Sequence, residues 1–212
     1  MESVSKETLQ RLPGYLRYLK EMNESGIKSI SSTAIADRFG FSAVQVRKDL
    51  ASVSAEGGKP KTGFSIEALI EDINEFLGYN NVQGAILVGV GKLGSALLGY
   101  KGFRNYGLEI VASFDAKKDI NAVDPMGRAI YDMSKMEDLV RRLCINIGII
   151  TVPAKSAQEV CDLMIKAGIK AIWNFSPVNL SVPNGIAVKN EDMAASLALL
   201  SQQLADIIKG TH

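Results

Sequence analysis

The residues with the clearest chemistry form a glycine-rich turn near the middle of the chain. An apolar run, Gly84 to Val90, leads into the turn, and a helical segment follows it. A glycine-rich turn between a strand and a helix lets backbone amides reach a phosphate, and the helix N-terminus favours negative charge. We therefore expect the pyrophosphate of a dinucleotide to bind at Gly89, Val90, Gly91, Lys92, Leu93 and Gly94.

Asp115 extends this candidate site from the phosphates to a ribose. It ends the predicted strand Glu109 to Asp115 and lies 21 residues after Gly94. An acidic residue at that distance binds ribose hydroxyls in dinucleotide sites. Because a carboxylate there also repels a 2′-phosphate, the expected ligand is NAD(H) rather than NADP(H). Lys117 and Lys118 weaken that expectation only modestly.

Two other uses of the glycine-rich turn are open to the same residues. An ATPase-type phosphate-binding loop requires glycine where the chain has Ile86, and Ser or Thr where it has Leu93, so ATPase chemistry is disfavoured. A turn that serves packing alone is the remaining alternative.

Polar and proline-fixed positions follow the predicted strands Ile145 to Val152 and Lys170 to Phe175. Open parallel sheets bind ligands at the carboxyl ends of their strands. The chain has no His–Asp pair and no Ser/Tyr-x-x-x-Lys arrangement that stands out, so we predict no catalytic residue. A cofactor that binds without reacting is a ligand for a sensor. We expect its nicotinamide half to lie near Thr151, Pro153, Asn174, Ser176 and Pro177.

Composition excludes several other functions. The only histidine, His212, ends the chain, which disfavours a histidine base and a histidine-containing metal cluster. Cys144 and Cys161 lie in apolar segments without C-x-x-C spacing, and we expect reduced core thiols. No apolar run reaches the ~18 residues of a membrane span, and the N-terminus is not signal-like. We expect a cytoplasmic protein with no metal and no membrane contact.

Charge is distributed unevenly along the chain. Residues 1–64 carry ten Lys and Arg against seven Asp and Glu, a net of +3, whereas residues 65–212 carry fourteen against sixteen, a net of −2. Five of the ten basic residues lie between Arg38 and Lys61. Clustered basic charge in a small domain is typical of nucleic-acid binding, although a solvated face is the default alternative.

The basic half has the pattern of a helix-turn-helix, two short helices joined by about three residues. The first helix should be disturbed at Pro13-Gly14. Capping serines and breaking glycines predict helices from Ser5 to Ser25-Gly26, from Ser31-Ser32 to Gly40, from Ser42 to Val53 and from Ser65 to Leu77.

The third predicted helix presents a polar face that suits DNA. Gln can bridge the adenine edge, Arg the guanine edge, and Lys can meet a phosphate. An accidental basic face on a three-helix bundle is the alternative. The face consists of Ser42, Gln45, Arg47 and Lys48.

A Gly-, Pro- and Lys-rich stretch, Ala55 to Phe64, follows this helix and is typical of a hairpin tip. A basic hairpin after a recognition helix looks like the wing of a winged-helix domain, and Lys59 and Lys61 would then reach DNA. The alternative is a solvated linker between domains.

From residue 82, short apolar runs alternate with helical segments, which is typical of a parallel α/β sheet. A last strand is expected at Ile186 to Lys189, and the apolar segment Met193 to Ile208 must be buried against its own subunit or a partner. We predict an α/β protein with a winged helix-turn-helix domain over 1–80, a Rossmann-like domain over 81–190 and a C-terminal helix over 191–212.

Six segments together resemble the Rex family of redox-sensing transcriptional repressors over nearly the whole chain. The family resemblance adds Ser31 and Ser32 to the expected DNA-binding residues. The segments are Arg11-Leu12-Pro13-Gly14-Tyr15-Leu16-Arg17, Ile30-Ser31-Ser32, Gln45-Val46-Arg47-Lys48-Asp49-Leu50, Gly89-Val90-Gly91-Lys92-Leu93-Gly94, Thr151-Val152-Pro153 and Asn174-Phe175-Ser176-Pro177.

The resemblance implies a homodimer whose last helix is exchanged between subunits. It also implies that the free or NAD+-bound protein binds an inverted repeat of double-stranded operator DNA, and that NADH releases it. Arg17, Tyr100 and Asp192 would couple the two halves. The chain departs from the family at Met193, where some members have Phe near the nicotinamide, and at the wing, Ala55 to Lys61, which lacks the more usual aromatic and arginine residues.

Two rival functions remain open at this point. A small NAD-dependent dehydrogenase would need a proton-transfer residue such as Tyr100 or Asp192 beside a substrate cleft; the lack of a usable histidine and the basic helix-turn-helix count against it. A CoA-binding domain resembling that of acyl-CoA synthetases shares the glycine-rich strand-turn-helix, and Asp115 disfavours it.

Overall fold

A computed structural model describes residues 4–54, 63–116 and 122–210. The chain divides into two compact units, Met1–Asn81 and Val82–His212. We call the first unit the head and the second the body.

The described part of the head contains four helices and a two-stranded sheet. The predicted serine caps at Ser5, Ser31 and Ser42 are confirmed, and Ser65 is a further cap, since each accepts a hydrogen bond from the amide three residues on. The elements are α1 (Lys6–Glu24), β1 (Ser29–Ile30), α2 (Ser32–Phe39), α3 (Ala43–Ala51), β2 (Phe64–Ser65) and α4 (Ile66–Phe76).

The predicted disturbance at Pro13-Gly14 is wrong, because α1 continues through Pro13 as one helix. Packing explains why the pair is tolerated. A Cβ atom on Gly14 would lie 3.3 Å from the ring of Phe39, so the missing side chain lets α2 approach α1. The buried face of α1, with Leu12 and Leu16 almost fully enclosed, holds the helix together across the lost proline amide.

The predicted wing falls mostly outside the described residues, and so do Lys59 and Lys61. The end of this stretch is described: β2 pairs antiparallel with β1, and Ile30 lies opposite Phe64. Gly63, with a φ of +74°, leaves no space for a Cβ atom beside the Ile30 carbonyl oxygen. The absence of a side chain at Gly63 therefore lets this segment pack closely against β1.

The described part of the body is a six-stranded sheet with helices, and every strand pair in it is parallel. The predicted parallel α/β architecture is thus confirmed, and the short β5 is an addition to the predicted strands. The elements are β3 (Gln83–Val88), α5 (Lys92–Gly99), β4 (Leu108–Phe114), β5 (Ile130–Tyr131), α6 (Met136–Arg142), β6 (Ile147–Ile150), α7 (Ala154–Ala167), β7 (Ala171–Asn174), β8 (Ala187–Asn190) and α8 (Met193–Lys209), with 3-10 helices at Lys101–Tyr106 and Met133–Lys135.

The strand order, β5-β4-β3-β6-β7-β8, reverses direction between β3 and β6. Alternate residues of β3 enter two hydrophobic cores: Ile86 packs in the core that contains Met164 of α7, and Leu87 in the core that contains Leu98 of α5. Helices thus cover both faces, as a parallel sheet requires. Open parallel sheets bind ligands at such a reversal point, which here lies at the carboxyl ends of β3 and β6.

The last helix, α8, has no buried residue in the structure. Its apolar side chains recur every three or four residues and so form one stripe along the helix. The stripe is 54–75% exposed and consists of Met193, Leu197, Leu200, Leu204 and Ile207.

The two cysteines differ in burial. Cys161 is buried in α7, as expected, and burial raises the pKa of its thiol. The expectation is wrong for Cys144, which is exposed after the end of α6 with a φ of 51°. The apolar run ends in a turn there, so the side chain points away from the core.

A buried carboxylate holds α3 against α1. Asp49 is only 1% exposed, and its oxygens accept hydrogen bonds from Arg11 Nε at 2.7 Å and Nη2 at 2.8 Å, from the Tyr15 hydroxyl at 2.9 Å and from the Thr8 hydroxyl at 3.1 Å. Gln45 Nε2 adds a fifth bond at 3.0 Å. We call these five residues the Asp49 cluster.

The Asp49 cluster keeps its carboxylate charged. Burial alone would raise the pKa of Asp49, but the hydrogen bonds from Arg11, Gln45, Tyr15 and Thr8 outweigh it and hold this pKa below its ordinary value. Burial, together with the neighbouring Asp49, raises the pKa of the Tyr15 hydroxyl, so that tyrosine remains a donor.

We predict that Asp49→Asn lowers the free energy of unfolding by about 3 kcal/mol at neutral pH, because it leaves the Arg11 guanidinium without its carboxylate. The lowered pKa of Asp49 contributes stability that is present above the unfolded value of 3.8. That contribution is lost as pH falls through the folded value, so the difference between the two proteins should shrink below pH 3.8.

Urea unfolding of the full chain, followed by circular dichroism at neutral and acid pH, measures both effects. Asp37→Asn is the matched control, since Asp37 is exposed on α2 and its replacement should change stability by less than about 0.5 kcal/mol. Equal losses in the two variants would contradict a structural role for the Asp49 cluster.

Candidate functional site

The glycine-rich turn joins β3 to α5 and depends on two of its three glycines for its shape. Gly89 has a φ of +102°, and a Cβ atom there would lie 2.8 Å from the backbone of Thr151. A Cβ atom on Gly94 would collide with the carbonyl oxygen of Gly89. Gly89 therefore allows the tight turn, and Gly94 allows the close approach of α5.

Gly91 has a different role, because a Cβ atom there would meet nothing within 4 Å. It is the N-cap of α5 and has no side chain to bond the amides of the first helical turn. Those amides, at the positive end of the helix, are available to an anion. The open surface beside Gly91 fits a pyrophosphate, which needs close approach to the backbone.

Asp115 lies directly after β4 and braces the turn. Its Oδ2 atom accepts a hydrogen bond from the Val90 amide at 2.8 Å. The sequence indicated a ribose contact but gave no sign of this bond, which joins residues 25 apart in the chain. A carboxylate has about four acceptor sites, so the bond to Val90 is compatible with ribose hydroxyls.

Thr151 supports the turn from the neighbouring strand β6. Its hydroxyl lies 2.7 Å from the Gly89 carbonyl oxygen and 3.1 Å from that of Val88, and donates to them. Thr151 was predicted to lie near the nicotinamide. The structure gives its hydroxyl proton a different use, since it fixes the carbonyl side of the turn.

Asn174 and Ser176 lie at the end of β7, with β6 between them and β3. Asn174 is fully buried; its Nδ2 donates to the Val178 carbonyl at 2.8 Å, and its Oδ1 accepts from the Ser176 amide at 2.9 Å. The Ser176 hydroxyl donates to the Val152 carbonyl at 2.6 Å. The side chains of Asn174 and Ser176 therefore hold the loop after β7 in shape. Pro153, the N-cap residue of α7, and Pro177 are both exposed.

The three residues implied in coupling lie in both units. Tyr100 follows α5, is 54% exposed, and has its ring 4.9 Å from that of Phe103. Asp192 caps α8 by accepting the Ala195 amide at 2.8 Å. Arg17 is exposed on α1, in the head. The coupling of the two halves through Arg17, Tyr100 and Asp192 stays a prediction.

The exposed face of α3 carries two of the predicted DNA-binding cations, Arg47 and Lys48. Ser42 is exposed at its N-terminus, and Ser31 and Ser32 begin α2. Gln45 is half-buried, and its amide nitrogen also donates to Asp49 at 3.0 Å. The prediction overlooked Asp49 as a core residue, although an acidic residue among the core positions 46, 50 and 53 was a signal of a buried charge network.

Residues 4–54, 63–116 and 122–210 contain no cluster of three or more His, Cys, Asp or Glu side chains that could hold a metal ion. Over the same ranges, no helix is long and apolar enough to cross a bilayer.

Two family models match the chain. The model described as putative DNA-binding protein N-terminus matches residues 3–51, and that described as CoA binding domain matches residues 80–178. The first match covers the helix-turn-helix, and the second begins before β3 and ends in the loop after β7.

Full-length relatives cover both units. A redox-sensing transcriptional repressor Rex from Porphyromonas gingivalis is 43% identical over 204 residues, which are 96% of this chain and 93% of the relative. The crystal structure of RSP, a Rex-family repressor, in complex with NAD+ and operator DNA is 32% identical, with a TM-score of 0.88 over 100% of this chain and 99% of that one. Its complex with NADH matches at 32% identity and a TM-score of 0.87, over 100% of both chains. The chain therefore belongs to the Rex family of redox-sensing transcriptional repressors.

Proposed function

We propose that this protein is a cytoplasmic transcriptional repressor that binds operator DNA as a homodimer and releases it when NADH binds. One observation carries the proposal: the same chain combines a helix-turn-helix with exposed cations and a glycine-rich turn braced by Asp115. The Rex-family structures with NAD+ and operator DNA and with NADH support it.

Each subunit would place α3 in a major groove of an inverted repeat, with half-sites about one helical turn apart or a multiple of that distance. Arg47 would bind a guanine edge and Lys48 a phosphate, while Ser31, Ser32 and Ser42 lie near the DNA backbone. Gln45 would read adenine through the part of its amide that Asp49 does not use. Lys59 and Lys61 would contact the backbone or minor groove.

The nucleotide would bind along the carboxyl edge of the sheet. Amides at the start of α5 would hold the pyrophosphate, and Asp115 a ribose. The nicotinamide would lie near residues 151–153 and 174–177. Reduced and oxidised nicotinamide differ by one positive charge and in ring planarity, so the surroundings of that ring must discriminate between them.

The same arrangement favours a sensor over a dehydrogenase. The side chains of Thr151, Asn174 and Ser176 are engaged in hydrogen bonds within the protein, and hydride transfer to a carbonyl substrate would need a proton donor beside the nicotinamide. The relatives are regulators. We therefore assign no catalytic residue.

The exposed stripe of α8 supports an exchanged helix. Five large apolar side chains on one face need a partner surface, and a second copy of the chain offers one. In this proposal the domains are 1–80 for DNA binding and 81–190 for the nucleotide, with 191–212 exchanged. Arg17, Tyr100 and Asp192 would then couple nucleotide binding to the position of the heads.

Operator binding with and without NADH tests the function. Fluorescence anisotropy on DNA selected from a random pool should show binding of the free protein. Saturating NADH should weaken it by about 5 to 150-fold, which corresponds to coupling of ~1–3 kcal/mol. NAD+ should have a smaller effect and CoA none. Unchanged operator affinity under saturating NADH would refute the proposal.

Two variants locate the DNA contact in the same assay. Arg47→Ala should weaken operator binding by about tenfold, because a bidentate guanine contact contributes ~1–3 kcal/mol. Lys166→Ala removes an equal charge from the exposed face of α7 and should leave binding unchanged. Equal effects of the two changes would exclude α3 as the reading element.

Asp115→Asn tests the dinucleotide contact. Asn keeps an acceptor for the Val90 amide but loses the charge, so NADH should bind about tenfold more weakly, the usual contribution of a charged hydrogen bond. The ratio of the NADPH dissociation constant to the NADH dissociation constant should fall. Calorimetric titration measures both, and Glu159→Gln on the exposed face of α7 is the matched control. An unchanged preference would count against Asp115 as the ribose ligand.

Leu200→Glu tests the partner contact of α8. Burial of a leucine contributes ~1.5–3 kcal/mol, so the dimer dissociation constant should rise by about 100-fold. Gln202→Glu adds the same charge on the opposite face of the helix and should leave the dimer intact. Sedimentation equilibrium distinguishes them, and a Leu200→Glu protein that stays dimeric would contradict the exchange.

A further inference from the structure

The segment that leads into α8 is fastened to the end of β7 by three hydrogen bonds. The Glu191 amide donates to the Asn174 carbonyl at 2.8 Å, and Asn174 Nδ2 donates to Asn190 Oδ1 at 2.9 Å. The indole Nε1 of Trp173 donates to Glu191 Oε1 at 2.8 Å. Asp192, the cap of α8, is the next residue. The point where α8 leaves the body is thus set by Trp173, Asn174 and Glu191.

The same end of β7 is connected to the glycine-rich turn. Asn174 Oδ1 accepts from the Ser176 amide at 2.9 Å, and the Ser176 hydroxyl donates to the Val152 carbonyl at 2.6 Å. Thr151, the neighbour of Val152, donates to Gly89 at 2.7 Å. Asn174 is 0% and Ser176 3% exposed, so water does not compete for these bonds. Hydrogen-bonded residues therefore extend from Gly89 to the cap of α8.

Trp173 also has aromatic neighbours that lead back to α5. Its ring lies 5.8 Å from that of Phe103 and 4.8 Å from that of Phe175, and Phe103 meets Tyr100 at 4.9 Å. Trp173 is half-buried and is the only tryptophan in the chain. One side chain thus contacts both the aromatic group at the end of α5 and the acidic residue before α8.

We propose that Trp173 and Glu191 are positioning residues for α8. Their hydrogen bond fixes the direction in which the helix leaves its subunit, and so determines how strongly a nucleotide at the glycine-rich turn affects operator binding. This inference rests on the proposed function. The bond joins a donor to a carboxylate, which makes it stronger than a neutral pair. Lys189, at 4.0 Å from Glu191 and exposed, contributes little.

Three variants separate the hydrogen bond from packing and charge. Trp173→Phe keeps an aromatic ring and removes the indole donor, Glu191→Ala removes the acceptor, and Glu191→Gln keeps an acceptor without charge. The ratio of operator dissociation constants with and without NADH is measured for each, together with NADH affinity. Glu159→Ala, an exposed acidic residue on α7, is the control.

Trp173→Phe and Glu191→Ala should each reduce the NADH effect on operator affinity by about threefold or more, within the range of typical coupling. The double variant should lose no more than either single variant, because both remove the same bond. NADH affinity should stay within about twofold, and Glu191→Gln, which keeps an acceptor without the charge, should lose less of the NADH effect than Glu191→Ala. A full NADH effect in the two single variants, or additive losses in the double variant, would overturn the inference.

Amide hydrogen exchange across residues 190–196 tests the inference without nucleotide or DNA. Exchange should be faster in Trp173→Phe and Glu191→Ala than in the wild-type protein and in Glu159→Ala. Unchanged exchange would overturn the positioning role. If wild-type operator binding ignores NADH while this exchange accelerates in the variants, the proposed function fails and the positioning of α8 stands.

Discussion

A single buried carboxylate organises the head. A charge removed from water must be surrounded by donors, and Asp49 of α3 takes three of its donor residues, Thr8, Arg11 and Tyr15, from α1. This requirement explains why the conspicuous segment 11–17 accompanies the segment 45–50: they are the two halves of one network. The angle of α3, and with it the direction of Arg47 and Lys48, follows from that network.

In the body, side chains likewise hold backbone segments together, at the carboxyl edge of the sheet. Asp115 and Thr151 hold opposite sides of the glycine-rich turn, and Ser176 ties the loop after β7 to the end of β6. These polar residues, which lie at strand ends, therefore hold the backbone of the candidate site in place. An anion would be recognised chiefly by backbone amides, whose positions these side chains fix.

Local signals predicted the elements well, because a serine cap or an apolar strand acts within a few residues. The helices beginning after Ser31 and Ser42 and the strands around Val88 and Ile150 are examples. Contacts between distant segments were not predictable: Pro13 was expected to disturb α1, but packing keeps the helix continuous, and Asp49 takes donors that lie 34 to 41 residues earlier in the chain. Thr151 meets Gly89 because β6 pairs with β3, and no local sequence pattern predicts that pairing.

The exposed apolar stripe of α8 affects the folding and aggregation of the protein in the cell. A subunit on its own exposes this apolar face to water. An apolar face of this kind promotes aggregation and capture by chaperones unless a second copy covers it, as proposed above. At low protein concentration the subunits meet more slowly, and the stripe of α8 stays exposed for longer. The fraction of correctly folded protein then depends on how much protein is made.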